Sequence, residues 1–154
     1  VVRYGKVRAA PDTVPSEEAL AQARSTMDLN HIETKEVGPV LLIRPIQSEF
    51  LDRHEISLST DELEEYVSMA KPEKIVFSLK HMTKYSSQAI GGLVRVQRVV
   101  EKYGGRMKLA MTESIRELFR VTGLDGSVFE IFETESDAIA SFFARGGDVF
   151  GGPR

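Results

Sequence analysis

The chain has 154 residues, 42% of them hydrophobic, which is enough for one domain with a single core and too few for two ordinary ones. Charged residues make up 28% and the formal net charge is -3, so the balance argues against direct binding to DNA or RNA. Cysteine is absent, which excludes disulfides, thiolate metal sites and thiol nucleophiles.

In chain order, residues 1–31 read as a flexible N-terminal extension. They mix charges with Pro11 and Pro15, and Leu20 is the only large apolar side chain in the stretch of helix-forming composition before Met27. Ile32 to Val37 alternates weakly, Gly38-Pro39 gives a turn, and Val40-Leu41-Leu42-Ile43 has strand length, so an antiparallel pair opens the sheet. Ser59 and Glu62 have capping-box spacing, and Leu63, Tyr66, Val67 and Ala70 follow at helical intervals until Pro72. Ile75-Val76-Phe77 with Leu79 reads as a central strand buried on both faces. A second helix runs from Ser87 to Tyr103 with Ile90, Leu93 and Val100 on its inner face, and Gly104-Gly105 ends it.

Met107 to Met111 makes the next strand, and Ser114 with Glu117 again has capping-box spacing before Ile115, Leu118 and Phe119, with Gly123 as the stop. Val128 to Phe132 is the last strand. Thr134 and Asp137 open a final helix with Ala138, Ile139, Phe142 and Phe143 as its apolar stripe. Residues 145–154 are a Gly-rich segment read as a disordered tail. The order β-β-α-β-α-β-α-β-α over residues 32–144 predicts one α/β domain. Its sheet is mixed but mainly parallel, with about five strands and about four helices joined by right-handed crossovers.

No apolar run approaches the roughly 18 residues that span a bilayer, and the first residues lack the basic-then-apolar pattern of a signal peptide. The expectation is a cytoplasmic protein with no membrane insertion.

The segment Lys80-His81-Met82-Thr83-Lys84-Tyr85-Ser86-Ser87-Gln88-Ala89-Ile90-Gly91-Gly92-Leu93 joins the central strand to the second helix and puts two hydroxyls at the helix start. Unpaired N–H groups and the positive end of the dipole suit an N-cap hydroxyl there, and equally a phosphate attached to it. Geometry alone leaves both readings of Ser86 and Ser87 open. A nucleophilic serine needs a base, and no motif fixes His31, His54 or His81 as one. There is also no G-x-S-x-G elbow, Walker loop or His/Asp metal cluster, so an enzyme is not expected and neither metal nor cofactor is called for. Gly91-Gly92 suits tight helix packing. Lys80, Lys84, Arg95 and Arg98 make a modest basic group near the segment.

An ordered series of motifs resembles the STAS domain of anti-sigma factor antagonists, proteins that bind a kinase-type anti-sigma factor and so release a sigma factor. The series runs from Ile75-Val76-Phe77-Ser78-Leu79 through Tyr85-Ser86-Ser87-Gln88-Ala89-Ile90-Gly91-Gly92-Leu93 to Tyr103-Gly104-Gly105-Arg106-Met107-Lys108-Leu109. It continues in Ile115-Arg116-Glu117-Leu118-Phe119-Arg120-Val121-Thr122-Gly123-Leu124-Asp125 and Val128-Phe129-Glu130-Ile131-Phe132. The resemblance implies that Ser87 is phosphorylated by the partner, that Ser86 falls on the preceding Asp or Ser, and that Asp52 of Leu51-Asp52 lies near the phosphosite. Asp52, Ser86, Ser87 and Gln88 would then form the partner-binding surface. The partner implied is an anti-sigma factor with serine kinase activity, blocked once Ser87 gains about -1.5 to -2 charges. Gln88 and Ala89 stand where the family has a small residue and Gly, so this helix start is bulkier. The alternative is a non-phosphorylated scaffold or accessory domain in a larger assembly, with homo-oligomers possible.

Overall fold

A computed structural model describes residues 29–143; the predicted N-terminal extension and Gly-rich tail lie outside the described residues, apart from the last residues before the first strand. Strands β1 (Ile32–Val37) and β2 (Val40–Pro45) form the expected antiparallel pair, turned at Gly38 with φ of 62°. Helix α1 (Arg53–Ala70) leads to β4 (Lys74–Ser78), α2 (Ser87–Lys102) to β6 (Arg106–Ala110), and α3 (Glu113–Val121) to β7 (Ile131–Phe132). The five-stranded sheet has the order β1-β2-β4-β6-β7 and is parallel from β2 onward, so β4 is the central strand, as predicted. A short α4 (Glu135–Ala140) and a 3-10 turn at Ser141–Phe143 complete the described fold. Among the described residues no helix is long and apolar enough to cross a membrane.

One face of the sheet carries the main core. Ile43, Ile75, Phe77 and Leu109 meet Ile56, Leu63, Tyr66 and Val67 of α1, Ile90, Leu93 and Val96 of α2, and Ile115 and Phe119 of α3, all buried. Helices α1 and α2 pack closely because Gly92 leaves room for Thr60. A Cβ at Gly92 would stand 2.6 Å from Thr60 Oγ1 and 2.8 Å from its Cγ2, so no rotation of the threonine clears it. The adjacent Gly91 faces open space, so only one glycine of the pair does what the sequence suggested for both.

The other face is thinner. Val40, Leu42, Val76 and Ala110 are covered by Ala138, with Ile139, Phe132 and Phe142 half-buried around them. Two polar clusters fasten this layer. At the start of α4, Glu135 accepts from Arg44 Nε at 3.0 Å, from Arg44 Nη2 at 2.8 Å and from Ser78 Oγ at 2.5 Å. After α4, Lys108 reaches Ser141 Oγ at 2.8 Å and Glu130 at 3.2 Å, with its Nζ 4.3 Å from the Phe142 ring centroid.

Four boundaries differ from the sequence expectation. Helix α1 starts six residues before Ser59, which is buried mid-helix. Glu62 cannot close a capping box because it accepts from the Asn30 and His31 amides at 2.7 and 2.9 Å and bonds the His31 ring at 2.7 Å. Helix α3 begins at Glu113 after Thr112, while Glu117 is engaged by Arg120, so the Ser114 capping box does not form. The last strand is reduced to Ile131–Phe132 because Val128 and Phe129 donate to Leu124 O at 3.2 and 3.1 Å, closing a turn instead of extending the ladder. The final helix also stops short of Phe143, which is 53% exposed.

Candidate functional site

The N-termini of α1 and α2 lie side by side, and a two-stranded parallel sheet holds them there. Strand β3 (Glu49–Phe50) pairs with β5 (Lys84–Tyr85), Glu49 with Lys84 and Phe50 with Tyr85. One residue further back, Thr83 donates to Ser48 O from both its amide, at 2.7 Å, and its hydroxyl, at 3.1 Å. Leu51-Asp52 follows directly on β3 and Ser86-Ser87 directly on β5, so the two segments leave the same short sheet side by side. Beneath the pair, Phe50 stacks on Tyr85, Tyr85 on Phe119, and Phe119 meets Phe129 edge-on, with centroid separations of 5.9, 6.1 and 5.7 Å. This aromatic column ties the two short strands to the core. Burial pushes the Tyr85 hydroxyl well above its ordinary range, which keeps it neutral.

Each helix has its own cap. Asp52 is the N-cap of α1 and accepts from the Glu55 amide at 3.0 Å. Ser86 is the N-cap of α2 and accepts from the Ala89 amide at 3.3 Å. Ser87 is therefore the first residue inside α2. It is exposed, and its hydroxyl has no partner among the described residues. Gln88 is also exposed, and its Nε2 lies 3.5 Å from Arg53 O, so it bridges from the start of α2 to the first turn of α1. Ala89 and Ile90 point inward and are 3% exposed. The four positions singled out in the sequence, Asp52, Ser86, Ser87 and Gln88, thus sit on adjoining helix starts.

Among the described residues no histidine hydrogen-bonds to Ser86 or Ser87. His31 is bound to Glu62, and His54 and His81 are exposed. No group of three or more His, Asp or Glu in the described residues could hold a metal ion. Three of the four basic residues named from the sequence are tied to separate partners. Arg95 bonds Asp61 and Glu64 of α1 at 3.0 and 2.7 Å, Lys80 reaches Glu133 O at 2.5 Å, and Lys84 faces Glu49 at 3.9 Å. The sequence reading missed the β3–β5 pair and the Gln88 bridge. Two-residue strands are too short to show alternation, and a side chain's reach to another helix leaves no local signal.

These adjoining helix starts offer an exposed hydroxyl on one and an exposed carboxylate on the other. A phosphate on Ser87 would meet the free N–H groups and dipole of a 16-residue helix. No curated protein matches the sequence. Among solved structures, the anti-sigma factor antagonist SpoIIAA in its unphosphorylated form is 21% identical, with a TM-score of 0.57 over 80% of this chain and 99% of that one. The phosphorylated form of SpoIIAA from Bacillus gives 21% and 0.54 over 72% and 98%. The Thermotoga maritima protein TM1081 gives 20% and 0.59 over 71% and 92%. These likenesses concern the fold. The family model of the STAS domain matches residues 31–138, and the chain belongs to the STAS domain family.

Proposed function

We propose that this chain is an anti-sigma factor antagonist. It binds an anti-sigma factor with serine kinase activity in the cytoplasm and is switched off by phosphorylation of Ser87, so that it regulates sigma-factor-dependent transcription without catalysing a reaction itself. The observation that carries this reading is the division of roles at the start of α2. Ser86 fills the capping role, which leaves the Ser87 hydroxyl exposed and without a partner among the described residues, on the helix start that adjoins that of Asp52. SpoIIAA, an anti-sigma factor antagonist of the same fold, has been solved in both unphosphorylated and phosphorylated forms, which supports a reading with two folded states.

In the unmodified state the neutral Ser87 hydroxyl, Asp52 and Gln88 present a polar surface that a partner covers and pairs. Phosphorylation places about -1.5 to -2 charges on the surface that also carries the Asp52 carboxylate, and a partner face fitted to a hydroxyl then meets repulsion and uncompensated desolvation. The α2 amides stabilise the phosphate locally, and the Ser86 cap is untouched, so affinity falls without unfolding.

The test uses purified serine-kinase anti-sigma factors from the source genome, with ATP and mass-spectrometric mapping, alongside binding of Ser87→Ala and Ser87→Asp. Phosphate should appear on Ser87. Ser87→Ala should bind like the wild type and Ser87→Asp at least about tenfold more weakly. Phosphate on Ser86 with Ser87 untouched, or equal affinity of the two variants, would rule the reading out.

A further inference from the structure

Among the described residues the exposed large apolar side chains are Ile46, Leu51, Leu58, Val121 and Phe143. A single exposed leucine is ordinary on a protein surface and needs no function. Leu51 differs in how it is held. It stands between β3 and the α1 cap, directly after Phe50, which is 4% exposed and stacked on Tyr85, and directly before Asp52. The residue that follows β5 is Ser86, so Leu51 and Ser86 leave the paired strands at the same step, and Ser87 comes next in the chain. A residue just before an N-cap can pack on the fourth helical residue, here the buried Ile56, to fix the entry of the chain, and such a contact would cover it. Leu51 keeps 54% of its surface exposed instead.

The segment that presents it is not loose. The backbone before Leu51 is paired to β5. The backbone after it is capped by Asp52 and bridged by Gln88 at Arg53 O, and Gln47 Nε2 donates to Glu55 at 2.9 Å across the same turn. An apolar side chain on pre-ordered backbone costs little further entropy when a partner covers it, and binding energy concentrates on such anchors where polar neighbours exclude water around them. Asp52, Ser87 and Gln88, all exposed, supply those polar neighbours.

We propose that Leu51 is the apolar anchor of the surface that receives the anti-sigma factor, inside a polar rim of Asp52, Ser87 and Gln88. This rests on the reading of the chain as an anti-sigma factor antagonist. The partner's complementary face is then an apolar pocket beside the hydrogen-bonding groups that meet the unmodified serine. The two parts of the interface differ in physics. The rim responds to charge and salt, whereas the anchor does not.

The experiment measures the affinity of wild type, Leu51→Ala, Leu51→Met and Ser87→Asp for the purified kinase anti-sigma factor that binds the wild-type chain, at about 50 mM and about 500 mM salt. Leu51→Ala should bind about tenfold more weakly at both salt concentrations, and Leu51→Met should keep wild-type affinity. The loss from Ser87→Asp should shrink at the higher salt. If Leu51→Ala destabilises the fold, seen as a lowered melting temperature, Leu51→Gln keeps the side-chain length and should show the same loss. Affinity within about twofold of wild type for both Leu51→Ala and Leu51→Gln would overturn the anchor while leaving the Ser87 reading intact. Equal binding of Ser87→Ala and Ser87→Asp would instead overturn the Ser87 reading.

Discussion

On one face of the sheet α1, α2 and α3 bury Ile56, Leu63, Tyr66, Val67, Ile90, Leu93, Val96, Ile115 and Phe119 against the strands. On the other, α4 buries only Ala138 fully and relies on charged groups at its two ends. The first face is held by apolar packing, which is non-directional and grows with area. The second is held by directed contacts between Arg44, Glu135 and Ser78 and between Lys108, Glu130 and Ser141. The difference bears on where the candidate site stands. Both helix starts that form it belong to the thick face, and the aromatic column under β3 and β5 runs into that core through Phe119. A surface meant to present side chains to a partner in one geometry gains from such support.

The comparison can be broken most forcefully at Phe119, which is fully buried between Tyr85 and Phe129. Phe119→Ala should cost about 3–5 kcal/mol by chemical denaturation and loosen β3 and β5 as well. A loss confined to α3, with the amides of Phe50 and Tyr85 still protected from exchange, would show that the column does not support the site.

A middle-sized effect is expected at Glu135 on the thin face. The bidentate bond from Arg44, helped by the Ser78 hydroxyl, holds its carboxylate below the ordinary range. A lowered folded-state pKa contributes stability above the unfolded value of about 4.3, and that contribution is lost as pH falls through the folded value. Glu135→Gln should therefore cost about 1–3 kcal/mol at neutral pH, and its deficit relative to the wild type should close in acid. Hydrogen exchange should rise over residues 135–143 while α1 and α2 keep their protection. Faster exchange throughout the protein would mean that the two faces do not open separately.

The smallest change is predicted at Lys108, on the same face and only 4% exposed. Burial beneath Phe142 lowers its pKa, with the Glu130 pair opposing the shift. A lysine whose folded pKa lies below its unfolded value disfavours folding while charged, so the wild type gains stability as pH rises through that window. Lys108→Met loses the Ser141 and Glu130 contacts but also the cost of burying the charge, so it should be neutral or stabilising by about 1 kcal/mol near pH 7, and the advantage should fade at alkaline pH. A marked loss in melting temperature for the methionine variant would show that the charge itself is needed to seat the 3-10 turn.

Much of this architecture was legible in the chain order of apolar residues. Val40 to Ile43, Ile75 to Phe77 and Met107 to Met111 read as strands because short, mostly apolar runs bounded by turns have strand length, and the unbroken run at Ile75 to Phe77 suits burial on both faces. Ile90, Leu93 and Val100 marked the inner face of α2 because helical spacing survives in one dimension. The differences lie at the ends of elements. Ser59-x-x-Glu62 and Ser114-x-x-Glu117 have the spacing of capping boxes, but Glu62 is claimed by the Asn30 and His31 amides and Glu117 by Arg120. Competition from distant groups leaves no trace in a local pattern.

The sequence by itself determined that a mainly parallel sheet alternates with helices and that two serines open the helix after the central strand, since periodicity and composition act through near neighbours. Only the tertiary structure decided which serine caps the helix and which stays free. It also decided that Asp52 and Ser87 lie on adjoining helix starts and that Leu51 is left exposed there. Those relations depend on a two-residue parallel pair between segments more than thirty residues apart, and such pairing is set by packing against a shared core.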